Sequence, residues 1–411
     1  MIGIKGVGRL HIASVQKNPQ TELTALVDIN DALVNKKSQE LKVRAFTDHR
    51  DMLDAGLVDA VSIATPHYLL APIALDCLSA GVHVFVEKPF AIRVSQADAV
   101  IRTAKAKNLK LCVGYLHRTY RLSLMMKHLL EGGAIGNLMR ILWTWQEFRP
   151  ESYYAPDPWR GTFRHAGGGV LMSQTSHQLD LICWMIGAPV QVSALMVNQL
   201  HAAEIEDAVC ANILFANGAL GSLQFTINQA KGYSVRQLAG DKGHLLIHDV
   251  KSLGEDEDDE ILLGTYGGTL PAIITQLPGD GDQPDISWQV IKLSQSPSPA
   301  RWWPRKFTTD RVRSKPSTQP NLLQRIELLK NRGRSTGHPV LMNSFINAIL
   351  NGGEPIASGE SARASVELIN ALFISAMRKK TVDLPIDPEE YDGLAKELSD
   401  GTMRVPMFHP F

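Results

Sequence analysis

At 411 residues the chain exceeds the length at which one hydrophobic core normally divides, so two domains are expected. Apolar residues make up 44% and charged residues 20%, with 42 basic side chains balancing 42 acidic ones. That sets aside a disordered chain and any protein-wide field for nucleic acid or an anionic membrane surface. Cys77, Cys112, Cys183 and Cys210 are scattered without a Cys-x-x-Cys pair, which argues against a disulfide framework and fits a cytoplasmic protein. No signal-peptide core follows Lys5 and Arg9. The most apolar stretch, Leu57 to Val86, is broken by Asp59, Pro66, Pro72 and Asp76, and reads as strand, helix and strand rather than a membrane span.

The N-terminus reads Gly3-Ile4-Lys5-Gly6-Val7-Gly8-Arg9-Leu10-His11. A glycine turn between a strand and a helix is the pyrophosphate cradle of dinucleotide-binding domains. On that template Gly3 and Gly8 take the first and third glycine places and Lys5 the middle one; a rival register starts at Gly6 and Gly8 and leaves His11 third. Only Met1 and Ile2 precede Gly3, so the first strand is expected to be truncated, with little ladder pairing to hold the turn. Short strands rich in Val, Ile and Leu follow at Leu23–Val27, Val58–Ala64, His83–Val86 and Leu109–Val113. Helical patterns lie between them at Leu69–Ala80, with Gly81 just beyond, and at Ser95–Asn108, with Ser95 as N-cap. The alternation predicts an α/β, doubly wound parallel sheet that binds ligands at the carboxyl ends of its strands. Asp28 closes the second strand, where an acidic side chain accepts the ribose hydroxyls of NAD; no arginine follows closely, which favours NAD over NADP.

Beyond residue 117 the texture changes to α+β. Helix Leu122–Glu131 ends at Gly132-Gly133, and an aromatic strand spans Leu138–Glu147. Further strands are expected at Val192–Asn198, Ala208–Ala216, Ala219–Ile227 and Gly243–His248, with a hairpin turn at Asn217-Gly218. Helices at His338–Asn351 and Ser358–Lys379 precede a short extended tail at Val382–Leu384. The division expected is therefore residues 1–117 for the nucleotide and 118–411 for substrate and oligomerisation, the latter with a largely antiparallel open sheet. A variable loop at about 250–335 holds the acidic run Glu255–Glu260 and a Pro/Ser-rich segment, Ser294–Pro320, whose Trp302-Trp303 should pack on the second domain.

Ala64-Thr65-Pro66-His67-Tyr68 and Val86-Glu87-Lys88-Pro89 follow two of the strands. Trp159-Arg160-Gly161-Thr162, Gly167-Gly168-Gly169-Val170-Leu171, His177-Gln178-Leu179-Asp180 and Val382-Asp383-Leu384-Pro385 come later, in that order. With Gly8-Arg9-Leu10-His11 they make the chain resemble the Gfo/Idh/MocA oxidoreductases, the family of glucose–fructose oxidoreductase and inositol dehydrogenase. The resemblance implies hydride transfer between a nicotinamide and a carbinol carbon of a sugar, cyclitol or related polyol, in a homo-oligomer. It assigns Lys88 to the reacting oxygen and His177 to the proton relay. A buried lysine shifts its pKa downward and can polarise or deprotonate a hydroxyl, while histidine titrates near neutrality, so both suit those tasks.

The cofactor contacts so implied are Gly3, Lys5, Gly6, Val7, Gly8, Asp28, Thr65, Pro66, His67, Glu87, Lys88, Trp159 and Arg160. Substrate contacts are expected at Tyr115, Arg118, Tyr153, Arg160, Ser173 and His177. Serine stands at 173 where the family often has Asp or Asn, and Leu70 where it often has His. No His/Asp/Glu/Cys set has metal-ligand spacing, so no metal is expected. Two alternatives accompany this reading: an enzyme that keeps NAD bound while eliminating or cleaving glycosides, and a non-catalytic relative whose Lys5 and short first strand impair cofactor binding.

Overall fold

Three- and four-residue strands of branched apolar side chains build the first sheet. They are β1 (Ala25–Val27), β2 (Arg44–Phe46), β3 (Ala60–Ile63), β4 (His83–Val86) and β5 (Leu111–Val113), every pairing parallel. The computed structural model describes residues 1–154, 158–229, 234–249, 260–276, 283–292 and 337–408. The acidic run at 255–259 and Trp302-Trp303 lie outside these residues.

The short segment before the glycine turn is paired on both sides, where the sequence predicted little ladder pairing. Ile2 bridges Val27 on one side and Ile63 on the other. Met1 O accepts from Val27 N at 2.8 Å, Ile2 N donates to Ser62 O at 2.8 Å, and Ile2 O accepts from Ala64 N at 2.8 Å. Gly3 N adds a bond to Val27 O at 2.9 Å. Two residues suffice because β1 and β3 are themselves only three and four residues long. The sheet thus runs β2-β1-Ile2-β3-β4-β5, with its reversal of strand order at Ile2.

Helices α1 (Gly8–Lys17), α2 (Asp31–Leu41), α3 (His49–Asp54), α4 (His67–Ser79) and α5 (Val94–Ala106) alternate with these strands. Ser95 is not the N-cap of α5; Arg93 is, and the Ser95 hydroxyl donates instead to Asp392 at 3.0 Å.

The second half begins with α6 (Arg121–Glu131) and β6 (Leu138–Gln146). Helices α7 (Phe163–Ala166) and α8 (Ser176–Met185) follow, then β7 (Pro189–Val197), β8 (Ala208–Phe215) and β9 (Leu220–Thr226). β10 (Ser234–Gly240), β11 (Gly243–Asp249), β12 (Glu260–Tyr266), α9 (Leu270–Ile274) and β13 (Ile286–Lys292) continue the run. The chain closes with α10 (His338–Asn351), α11 (Gly359–Arg378), β14 (Val382–Asp383) and α12 (Pro388–Asp400). These strands form one nine-stranded sheet, ordered β13-β12-β11-β10-β6-β9-β8-β7-β14. Every pairing is antiparallel except β6 with β9. Period-two burial on β7, β8 and β9 turns Val192, Ala211 and Leu223 toward a core shared with α8 and α11, and leaves Leu195, Cys210 and Leu220 on the open face.

The two halves are not cut cleanly at residue 117. Leu341, Met342, Phe345 and Ile346 of α10 belong to the same apolar core as Phe85 and Val100. Val113 N also donates to Ala357 O at 2.8 Å, so the late helices brace the first sheet.

Candidate active site

The glycine turn decides between the two registers. Gly3 has φ +79°, and a Cβ there would stand 2.6 Å from Ala64 O; a Cβ on Gly8 would stand 2.1 Å from Gly3 O. Both positions therefore require glycine, one for the turn and one for the close approach of α1 to the strand. Lys5, in the middle place, is exposed, and Gly6 beside it has φ +51° with open space around it. Val7, at the N-cap of α1, supplies no side-chain cap, so the helix start presents backbone N–H groups outward. His11 is fully buried and belongs to the core rather than to the turn. Asp28, at the end of β1, accepts from Ile4 N at 3.1 Å and from Asn30 N at 3.0 Å, which fixes its carboxylate at the lip of the turn. Thr65, after β3, carries a buried hydroxyl without a partner beside Gly3.

β4 delivers Glu87 and Lys88 to the carboxyl edge of the sheet. The Lys88 ammonium donates to the backbone carbonyl of Ser173 at 2.7 Å. Burial is the chief cause that holds its pKa below the ordinary lysine value, with Arg149 and Arg160 adding to it against Glu87 and Glu147. Ser173 sits in the π-helical turn Val170–Gln174 that leads into α8, and its own hydroxyl donates back to Gly168 O at 3.2 Å. The serine thus meets Lys88 with its main chain, and its side chain is turned to the turn itself. Glu206 anchors this turn. Its carboxylate accepts from Gly169 N at 2.9 Å and Leu171 N at 3.0 Å, and a Cβ on Gly169 would lie 1.9 Å from Glu206 O.

One turn further on, His177 is buried on α8. Its ring stacks on His117 at 4.0 Å and 15°, with the edge of Tyr115 at 5.8 Å. The Nδ1 atoms of both histidines are buried and without a partner. Desolvation drives both imidazoles toward the neutral form: His117 falls to about 3, and His177 lies well below its ordinary value. His117 lies four residues beyond β5, in the short turn Leu116–Thr119, and that position past a strand's carboxyl end is the signal that would have found it.

On the Lys88 side lies a polar cluster. The Tyr153 ring lies between the guanidinium of Arg149 at 5.2 Å and that of Arg160 at 4.9 Å. Its hydroxyl accepts from Arg160 Nη1 and from Gln174 Nε2, each at 2.9 Å, and Arg149 in turn holds Gln174 Oε1 at 2.8 Å. Trp159 carries Arg160 over its face at 4.9 Å and meets the edge of His67 at 4.8 Å. His67 is itself fixed to Ala166 O at 2.9 Å. Arg149 and Gln174 were not foreseen, because neither lies in a recognisable motif.

Two expected substrate contacts are occupied elsewhere. Arg118 is fully buried and grips Asp180 through Nε at 2.8 Å and Nη2 at 2.6 Å. Its remaining donors reach Ile356 O, Ser361 Oγ and Ser361 O, which leaves none for a ligand. Tyr115 is fully buried too, and its hydroxyl is hydrogen-bonded to Ser365 Oγ at 2.9 Å. Both residues brace the seam between the halves. Tyr115 serves the site only by backing His177.

The profile of the GFO_IDH_MocA oxidoreductase family, NAD-binding Rossmann fold, matches residues 1–115, and that of the GFO/IDH/MocA C-terminal domain matches residues 123–246. Myo-inositol 2-dehydrogenase of Thermotoga maritima is 24% identical over 61% of this chain and 75% of its own length. UDP-N-acetylglucosamine 3-dehydrogenase of Acidithiobacillus ferrooxidans is 30% identical over 54% of this chain and 65% of its own. Among solved structures, the WlbA dehydrogenase of Chromobacterium violaceum, in complex with NADH and UDP-GlcNAcA, superimposes with a TM-score of 0.71. The match is 23% identical and covers 94% of this chain and 95% of that one. Levoglucosan dehydrogenase in complex with NADH gives a TM-score of 0.69 at 21% identity, with 94% and 98% covered.

Proposed function

The chain belongs to the Gfo/Idh/MocA oxidoreductase family, and from that premise we propose that it is an NAD-dependent dehydrogenase of a sugar, cyclitol or related polyol. One observation carries the reading: Lys88, at the edge of the nucleotide sheet, is tied to Ser173 of the turn that leads directly to His177. The residues fit the cofactor, since Gly3 and Gly8 have no room for a Cβ and the buried Thr65 hydroxyl lacks a partner. Bound NAD supplies the hydride acceptor.

The chain's own groups supply the rest. Lys88 donates to the reacting oxygen and orients it, and neutral His177 takes the hydroxyl proton as hydride leaves. His117, stacked against it, offers a second ring nitrogen to a neighbouring hydroxyl. Tyr153 and its two flanking guanidiniums form a polar cluster with directed donors suited to a polyhydroxylated ring. The relatives named for inositol, levoglucosan and UDP-N-acetylglucosamine act on ligands of that chemistry.

Residues 1–117 carry the nucleotide half of this reading, and 118–411 the substrate half. The open sheet face, with Leu142, Leu195 and Leu220 exposed, is the surface on which copies of the chain pair. The four free thiols accord with a cytoplasmic location, and among the described residues no helix is long and apolar enough to cross a membrane. The test is a panel of cyclitols, aldoses and anhydrosugars offered with NAD and with NADP, read by formation of the reduced nucleotide. Turnover of at least one polyol with NAD is expected. No turnover, together with no NAD binding by calorimetry, would sink the proposal.

A further inference from the structure

Three side chains far apart in sequence meet beneath the nucleotide sheet: His11 of α1, Glu87 beyond β4, and His338, the first residue of α10. Glu87 Oε1 lies 2.8 Å from His11 Nε2 and 3.1 Å from His338 Nε2, and the three candidate ligand atoms fall within 4.8 Å of one another. His11 is fully buried, Glu87 is 6% exposed, and the two imidazoles tilt toward each other with centroids 4.9 Å apart. Two ring nitrogens therefore converge on one carboxylate oxygen, while the other oxygen accepts the backbone N–H of Lys88 at 3.1 Å.

The charge balance at this point is unusual. Among the described residues, the ion-pair partners of Glu87 are these two histidines, which carry charge only when protonated. A buried carboxylate is costly in a low-dielectric interior unless its partners offset it, and among the described residues the two imidazoles are what face Glu87 Oε1. Gly114 closes over the carboxylate, since a Cβ there would stand 2.8 Å from Oε1, so Glu87 cannot swing out to solvent. His11 is also oriented from behind, because its Nδ1 lies 2.6 Å from Ser62 Oγ. An outer-sphere partner of that kind is the usual support of a metal-bound histidine.

We propose that His11, Glu87 and His338 form a buried site for one divalent transition-metal ion, zinc by ligand type, that clasps α10 to the nucleotide-binding half. Two imidazoles and a carboxylate are a zinc donor set and a poor one for magnesium or calcium. Ligands about 2.0 Å from a tetrahedral ion lie about 3.3 Å apart, so the two Oε1–Nε2 separations of 2.8 and 3.1 Å would open slightly, and a water would take the fourth position. Any proton on Nε2 of either ring must leave that nitrogen for the ion to bind, either to Nδ1 of the same ring or to solvent. Each ring gives its Nε2 lone pair to the ion and carries its single proton on Nδ1, where that of His11 is received by Ser62 Oγ. The ion would offset the Glu87 carboxylate, and the clasp joins residues 251 positions apart.

The test uses full-length protein stripped with chelator, then dialysed against zinc chloride and assayed by elemental mass spectrometry. One zinc per chain is expected, with a rise in melting temperature. Cobalt(II) in its place should give the intense visible bands of a tetrahedral site. His338→Ala and His338→Gln should each weaken zinc binding tenfold or more and abolish the thermal shift. The glutamine variant keeps a donor for Glu87, so it tests ligation without opening the cavity. Absence of stoichiometric zinc in the stripped and reloaded protein, or zinc affinity in both His338 variants equal to that of the parent, overturns the proposal. NAD titration of the same samples reads the dehydrogenase assignment separately.

Discussion

Lys88 reaches Ser173 through the serine's backbone carbonyl, at 2.7 Å, and not through its hydroxyl. The contact holds the ammonium over the turn that leads into α8, and it does so without a negative charge. Lys88→Ala and His177→Ala should therefore each lower turnover about a hundredfold or more, the scale of positioned acid–base groups. Ser173→Ala leaves the carbonyl in place and should stay within about threefold of the parent, as expected when no reacting group is lost. Steady-state kinetics on the substrate found by the polyol panel checks all three. A hundredfold loss in Ser173→Ala would show that the hydroxyl, not the carbonyl, does the work.

His117 lies against His177 as a stacked ring with a partnerless buried nitrogen. His117→Phe keeps the stacked face and removes the nitrogens. It should raise KM about tenfold, the worth of one ligand hydrogen bond, with kcat changed far less. The measurement is the split between KM and kcat. A collapse of kcat at constant KM would instead make His117 part of the proton relay.

Much of the nucleotide half is legible in the sequence because its strands are short, wholly apolar and bounded by turn residues; His83–Val86 is found to the residue. β2 is missed because Arg44–Phe46 is a three-residue strand with an exposed arginine and no apolar run. β10 escapes for a different reason. Arg236 occupies an inward position, fully buried with its guanidinium 5.4 Å from the Trp143 ring, so the alternation that marks β8 and β9 is broken. The site divides in the same way. Lys88 and His177 sit in recognisable motifs, whereas Arg149, Glu206 and His338 acquire their partners only through tertiary packing. Ligand sets such as His11, Glu87 and His338 have no sequence spacing to detect.

The Arg118–Asp180 pair is wholly buried and bidentate, so its effect should appear in stability and not in substrate affinity. Asp180→Ala would strand a guanidinium in the seam between the halves and should cost about 3–5 kcal/mol. Urea unfolding measures the loss. An Arg118→Lys variant that keeps its stability but shows a greatly raised KM would restore the substrate role that its buried geometry denies.

Asp28 already accepts two backbone N–H groups, so its carboxylate is held in place at the lip of the glycine turn. A fixed negative charge there accepts ribose hydroxyls and repels a 2′-phosphate. NAD should be preferred over NADP, and Asp28→Ala should narrow or reverse that preference. Comparing kcat/KM for the two nucleotides decides the matter, and equal use by the parent protein would count against it.

Glu206 provides a dependence on pH whose sign can be worked out. Burial is the largest influence on its carboxyl and raises its pKa from 4.5 to about 7, against the lowering effect of the Gly169 and Leu171 N–H groups. Asp207 on the same segment pushes in the raising direction as well. An acid whose pKa is raised by folding binds its proton more tightly in the folded state. The stability it contributes is complete below about pH 4.5 and is lost as pH climbs through about 7. The full loss is on the order of 3 kcal/mol, since each pKa unit is worth about 1.4 kcal/mol. Glu206→Gln cannot ionise, but it keeps an amide oxygen for one of the two N–H groups. The variant should therefore be no more stable than the parent near about pH 5, and should gain on it by roughly 2–3 kcal/mol at about pH 8.5. Urea denaturation of both proteins at the two pH values gives the comparison directly. A stability difference that stays constant between them would mean that the carboxyl keeps one protonation state throughout, and that the Val170–Gln174 turn is held without this titration.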